Sequence, residues 1–287
     1  MTHVSARRGA VYVSVAATAW GTGGAAGSLL FETGGLGPVG VSLWRYLLGA
    51  AFLLALTRSF HIGLNRRVLL VGAGMALYQT AYFAAIAHSG VAVATVVTMG
   101  ATPVFTALGS RFLLRERLGG IALTALAAAL AGLVLLTAET VLEARTSSLT
   151  GIGFALASAA GYAGVTLFSR RHRDDSQGMA IGGFLVGAVC LAPFALVDGV
   201  VPEVSVASVG LLLYLGAVPT ALAYGLFFRA LTVLRATTVS IISLGEAVGA
   251  AVLGVVLFGE RLTPLAWSGC ALLLAAVAVL AVRAEAG

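Results

Sequence analysis

The sequence predicts an all-α integral membrane protein, with ten transmembrane helices in two inverted five-helix repeats and both chain ends cytoplasmic. Three observations lead there. Of 287 residues, 60% are hydrophobic and 10% charged, with mean hydropathy +1.03. A soluble domain carries about a quarter charged residues on its surface, so this chain needs an apolar solvent. Ten apolar runs each approach the roughly 20 residues that span a bilayer core. The charges that remain sort by alternate connections, and that sorting fixes the topology.

In order, the runs cover about 9–30, 38–57, 67–87, 91–110, 118–138, 150–169, 178–197, 207–228, 237–257 and 263–283. The start, MTHVSARRG, leads into a full-length span without a convincing cleavage site, so the first run is read as retained. With the N-terminus inside, the connections on that side hold Arg7, Arg8, Arg58, Arg66, Arg67, Arg111, Arg115, Arg117, Arg170, Arg171, Arg173, Arg229, Arg235 and Arg283. These are fourteen of the seventeen arginines in a chain without lysine. The outer loops keep only Arg145 and Arg261, together with most acids (Glu32, Glu139, Glu143, Asp198, Glu203 and Glu260). One misplaced helix would reverse every later loop and destroy the separation. The net charge of +6 is therefore a topology signal and no nucleic-acid footprint.

The longest connection, near Glu139–Ser148, divides the chain into a first repeat (1–138), an extracytoplasmic linker (139–149) and a second repeat (150–287). Residues 103–118 read PVFTALGSRFLLRERL and residues 247–262 read AVGAAVLGVVLFGERL, a gapless offset of 144. Five helices is an odd number, so the second repeat enters the membrane upside down. That architecture places a solute site between the halves near the midplane of a secondary transporter.

Trp20-Gly21 in the first run, Arg45 in the second, Pro103 followed by Glu116-Arg117-Leu118, and the Glu260-Arg261-Leu262 echo occur in an order that resembles one family along the whole chain. It is the drug/metabolite transporter superfamily, within it the ten-helix exporters built from two EamA repeats, with amino-acid exporters of the YddG type as the favoured subgroup. The resemblance implies export of small solutes by alternating access. Ala247 stands where a proline is common in that family.

Polar side chains are costly in a bilayer, so their clustering marks function. The third run carries Met75, Tyr78, Gln79 and Tyr82 at i, i+3, i+4 and i+7, and the fourth carries Thr95, Thr98, Met99 and Thr102 at the same spacing. Each set forms one stripe able to line a cavity or pack against a neighbouring helix. The 144 offset gives Val239, Ile242, Ser243 and Glu246 on the ninth run, while Pro219, Thr220, Tyr224, Trp20 and Tyr162 add aromatic and hydroxyl groups. The predicted substrate-binding residues are Trp20, Tyr78, Gln79, Tyr82, Thr95, Thr98, Met99, Thr102, Tyr162, Thr220, Tyr224, Ser243 and Glu246. Glu246 and Arg45 are the two charges well inside spans. Glu246 lies about 14 Å from the cytoplasmic end of its helix and is a candidate partner for a substrate amine or for a proton, with a hydrogen-bonded structural glutamate as the alternative. Arg45 is expected to be structural. Glu116-Arg117 and Glu260-Arg261 are expected to cap and anchor helix ends. Gly183/Gly187 and Gly245/Gly249 have the GxxxG spacing of close helix crossings.

The expected substrate is a small metabolite, an amino acid before others, with a quaternary-ammonium drug as the second choice. Phosphorylated solutes need several cationic side chains in the cavity. No catalytic residue, metal or cofactor is expected: Cys190 and Cys270 lie in apolar runs, His61, His88 and His172 have no convincing catalytic partner, and HExxH and GxSxG are missing. Lipid and the solute are the expected partners of a monomer in a bacterial-type inner membrane.

Overall fold

The computed structural model describes residues 5–57, 65–116, 118–143, 148–172, 176–259 and 261–285. Arg58, His61, Arg117, Arg145, Arg173 and Glu260 lie outside them, as do the side chains of Glu32, Glu143 and Asp198. The regular elements are helical throughout the described residues. They are α1 (Ala6–Thr33), α2 (Pro38–Thr57), α3 (Arg66–Gly90), α4 (Val93–Leu113), α5 (Gly120–Glu143), α6 (Leu149–Arg171), α7 (Ser176–Asp198), α8 (Val206–Val233), α9 (Ala236–Leu257) and α10 (Pro264–Glu285). Among the described residues nine of these, α2 to α10, are long and apolar enough to cross a membrane. α1 has the length, at 28 residues, but its glycines, serines and threonines dilute its apolar character.

Local chemistry sets the helix ends. Asn65 accepts hydrogen bonds from the Arg67 and Val68 N–H groups at 3.0 Å each, and Ser148 accepts one from Gly151 at 2.9 Å. These side chains satisfy N–H groups that a first turn leaves open. Pro38 and Pro264 stand at first helical positions, where a missing N–H costs nothing. α3 and α4 would be one rod but for Gly90, whose φ of 76° and ψ of 162° suit glycine and reverse the chain between them.

Packing runs mainly between the repeats, in symmetric pairs. α1 packs on α8 and α9, as its counterpart α6 packs on α3 and α4; α2 meets α7 and α5 meets α10. Ser158 of α6 donates to the Tyr78 carbonyl of α3 at 2.8 Å, and Thr98 of α4 to the Ala155 carbonyl of α6 at 3.2 Å. Small residues bring the backbones close, as expected where lipid removes the hydrophobic drive between helices. A Cβ on Gly21 would stand 2.8 Å from the Glu246 carbonyl, and one on Gly132 2.8 Å from the Gly269 carbonyl. Gly245 is looser: a Cβ there meets Ala17 at 3.8 Å. The tight partner of Gly21 on α9 is Gly249. Large apolar side chains such as Leu56, Leu70, Phe112 and Val256 face outward, as lipid-facing surface does.

Candidate functional site

Two interrupted helices shape the site. In α8, Pro219 has no N–H to offer the Leu215 carbonyl one turn earlier. The Thr220 hydroxyl donates there instead at 2.7 Å, and the backbone widens into a π-turn over Ala217–Leu222. The same Thr220 oxygen accepts from Arg45 Nε at 3.3 Å. Thr220 is fully buried and lies behind the cavity wall. Of the residues expected to touch solute it is the one outside the lining, with its hydroxyl engaged at the proline break and by Arg45.

In α9 the helix breaks at Leu244, between Ala236–Ser243 and Gly245–Phe258. No proline is involved; Ala247 follows the break. Leu244 N–H reaches the Ile241 carbonyl and Ala247 N–H the Leu244 carbonyl, both at 3.1 Å, a tighter turn than the α-helix. Glu246 therefore stands in the first turn of the second segment, where open backbone N–H groups favour a negative charge.

Between the repeats lies a cavity of about 550 Å³, a volume suited to a small organic molecule. Of the thirteen predicted residues, all but Thr220 line it. On α3, Tyr78, Gln79 and Tyr82 face it, while Met75 turns into the core beside Gly183. On α4, Thr95, Thr98, Met99 and Thr102 form the opposite stripe. α9 gives Ser243 and Glu246, and α1, α6 and α8 give Trp20, Tyr162 and Tyr224; Val239 and Ile242 are core.

The aromatic residues make the floor. Trp20 stands edge-on to Tyr224 at 5.0 Å, and Tyr162 edge-on to Tyr78 at 5.3 Å. The Tyr224 and Tyr78 hydroxyls are hydrogen-bonded at 2.7 Å, with Phe184, Phe227 and Phe228 fully buried beside them. Away from the floor the lining reaches Pro38 at the start of α2 and Ile86 near the end of α3, toward the face opposite the start of α1.

Many polar groups in the wall are already engaged. Tyr82 and Thr95 share a hydrogen bond of 2.6 Å, and Gln79 Nε2 donates to Ser42 at 3.0 Å. Thr98, Thr102 and Ser243 donate to backbone carbonyls. This leaves Arg45 and Glu246 as the charged groups of the lining. Among the described residues no carboxylate comes within ion-pair distance of Arg45. Arg45, expected to be structural, thus opens onto the cavity. Ser42, Ser158, Ser240 and Gly23, Gly24 and Gly27 line it too. Ser42 was findable, one turn from Arg45 on the same face; glycines carry no polar signal. No group of three His, Cys, Asp or Glu side chains able to hold a metal occurs among the described residues.

Glu116 is more than an anchor at a helix end: it pairs with Arg170 at 3.1 Å, across the repeats.

Comparison with known proteins agrees with this architecture. The pattern of the EamA-like transporter family matches the chain twice, over residues 7–138 and 149–282. The chain is 31% identical over 277 residues to the Bacillus subtilis (strain 168) protein named Uncharacterized transporter YwfM, covering 94% of this chain and 92% of that one. It is 25% identical to the Salmonella typhimurium protein named Uncharacterized inner membrane transporter YicL, covering 95% of each. One crystal structure superposes with a TM-score of 0.82 over 96% of this chain and 97% of its own, at 22% identity, a likeness of fold alone.

Proposed function

Because the chain belongs to the EamA-like transporter family, we propose that it is a secondary transporter of the bacterial cytoplasmic membrane that exports small zwitterionic metabolites, neutral and aromatic amino acids foremost, by alternating access. The observation that carries this reading is the pair of opposite charges, Arg45 and Glu246, opening onto one aromatic-walled cavity without an ion pair between them. A zwitterion answers both: its carboxylate takes the guanidinium and its ammonium takes Glu246. A solute bearing one charge leaves the other group unmatched in a low-dielectric site, which is costly.

Each wall has a part in the cycle. Thr220 holds Arg45 at its Nε, leaving the guanidinium tip to meet the solute. The rings of Trp20, Tyr82 and Tyr162 cover an apolar side chain and displace water, which strengthens both charge contacts. The symmetric crossings of α1 on α9 and α6 on α4 are the surfaces on which one repeat rocks against the other. The fourteen arginines on one set of connections favour both chain ends in the cytoplasm. The cavity then faces outward in this structure. The carrier works as a monomer, with lipid as its surround. Glu246 also serves as the proton site if uptake depends on pH; unchanged uptake and pH dependence in Glu246→Gln remove it from the mechanism.

A quaternary-ammonium cation is the second reading, favoured by aromatic faces near a carboxylate and opposed by Arg45 in the same lining. Counterflow in proteoliposomes decides between them. Saturable exchange of labelled neutral or aromatic amino acids supports the first. Choline-type uptake without amino-acid exchange supports the second.

A further inference from the structure

Serine and threonine hydroxyls inside these helices usually donate to the carbonyl one turn back. Thr80, Thr102, Thr106, Thr137 and Thr166 all do so, at 2.6 to 2.9 Å. Ser110, Ser169, Thr237 and Ser240 do not, although each is at most 3% exposed. Among the described residues six buried side-chain polar atoms lack a hydrogen-bond partner: these four hydroxyls, Glu116 Oε2 and Trp20 Nε1. A buried polar group left open is expensive. Five of the six are gathered at one side of the bundle, on or just beyond the ends of α4, α6 and α9.

Arg170 joins the end of α6 to the residue beyond α4 and to the end of α8, next to the start of α9. Its Nε donates to Glu116 Oε1 at 3.1 Å, and its Nη1 to the Leu231 and Thr232 carbonyls at 2.8 and 3.1 Å. One side chain of α6 thus ties the residue beyond α4 to the Leu231 and Thr232 carbonyls at the end of α8, which stops three residues before α9 begins. Glu116 is aimed there by the backbone. Arg115 takes a left-handed conformation (φ 55°), unusual without glycine, and the Glu116 N–H turns back to the Ser110 carbonyl at 3.0 Å. Glu116 belongs to the first repeat and Arg170 to the second, so the tie crosses the interface that must open.

The open hydroxyls also continue two stripes that begin in the cavity. On α4, Thr102 lines the cavity, and Thr106 and Ser110 follow at i+4 and i+8. On α9, Ser243 and Ser240 line it, and Thr237 lies one turn beyond. α4 and α9 are the fourth helices of their repeats.

We propose that this side of the bundle holds a collapsed solute path running from Ser240 past Thr237 and Ser110 to Glu116, closed by the Arg170 tie. In this structure the path is closed by packing, and its hydroxyls are buried without a hydrogen-bond partner. When the repeats rock, Arg170 leaves Glu116 and the α8 carbonyls, and the hydroxyls become the wetted wall that the solute passes. The proposal rests on alternating access as proposed above.

The test uses Ser110→Cys and Thr237→Cys in full-length protein carrying Cys190→Ala and Cys270→Ala, with a membrane-impermeant thiol reagent applied to each face of oriented vesicles. Adding Glu116→Gln, which takes the carboxylate charge out of the tie, or Arg170→Gln, which removes its three hydrogen bonds, should raise labelling at both positions about tenfold or more, from the cytoplasmic face only, as weakening the tie shifts the population. Glu116→Gln keeps size and acceptor, so it serves if Arg170→Gln fails to fold. Labelling that stays flat in both variants, or that rises from the outer face, overturns the path. Counterflow on the same vesicles separates the two readings. Intact exchange with flat labelling sinks the path and leaves the transporter. Accelerated labelling in a protein that exchanges no amino acid supports the path and sinks the proposed substrate.

Discussion

Thr220 and Arg45 are joined by a hydrogen bond of 3.3 Å that couples the backbone break in α8 to the guanidinium in the cavity. The threonine hydroxyl faces two ways, donating to Leu215 and accepting from Arg45. Thr220→Val keeps the shape and removes both bonds. It should lower thermal stability, since a buried carbonyl left open costs about 1–3 kcal/mol, and it should raise the KM for solute several-fold by freeing Arg45. Adding Pro219→Ala restores an N–H for Leu215. The double variant should regain melting temperature in detergent and keep the raised KM. Recovery of both would show that Arg45 needs no bracket.

The contact of Arg45 with solute is tested by Arg45→Lys and Arg45→Gln. A charged group hydrogen-bonded to a solute carboxylate is worth about 1.5–3 kcal/mol, or roughly 10- to 100-fold in affinity. Arg45→Gln should lose that much in KM by counterflow, and Arg45→Lys should recover part of it, because lysine keeps the charge and loses the planar fork. Equal KM values for the three proteins would return Arg45 to a structural role.

Tyr78 and Tyr82 sit one turn apart and should behave differently. Tyr78 is buried and hydrogen-bonded to Tyr224, so Tyr78→Ala digs into the packed floor and should cost about 3–5 kcal/mol of stability, as large aromatic truncations do. Tyr82 stands in the wall against Thr95. Tyr82→Ala should express and melt near wild type while weakening exchange of aromatic solutes more than that of small ones. Melting curves and a solute series measured together check the contrast.

The α1–α9 crossing makes a packing prediction. A Cβ at Gly21 meets backbone atoms of α9, the Glu246 carbonyl at 2.8 Å and the Ala250 nitrogen at 3.1 Å. Backbone cannot turn aside as a side chain can. Gly21→Ala should therefore destabilise by about 1–3 kcal/mol, or displace Glu246 and reduce transport. Gly245→Ala meets only an ordinary contact and should be neutral or slightly stabilising through helix propensity. Detergent melting temperatures rank the two.

The residues show why some of this was readable and some was not. Span count and repeat came from hydropathy and from the offset linking Glu116-Arg117-Leu118 to Glu260-Arg261-Leu262, because lipid imposes long-range patterns on composition. The stripes on α3 and α4 predicted cavity faces because 3.6-residue periodicity survives without tertiary context; within them Met75 turned to the core, at the stripe's end. Thr220 lies outside the lining and Arg45 within it because a hydroxyl after a proline has a competing local acceptor, which spacing alone does not reveal. The Glu116–Arg170 pair joins residues 54 apart in sequence, and no local pattern announces it. The break at Leu244 lacked its proline and was invisible for that reason.

A zwitterion held between Arg45 and Glu246 needs both of its charges. Competition in proteoliposome counterflow tests it most directly, with labelled phenylalanine against unlabelled phenylalanine, phenethylamine and N-acetylphenylalanine. All three carry the same ring; the amine lacks the carboxylate and the acetyl compound lacks the ammonium. Phenylalanine should compete strongly and each of the others at least about tenfold more weakly, the loss of one charged hydrogen-bond partner. Phenethylamine competing as well as phenylalanine would contradict it, leaving Glu246 with the aromatic walls as the site of a cation.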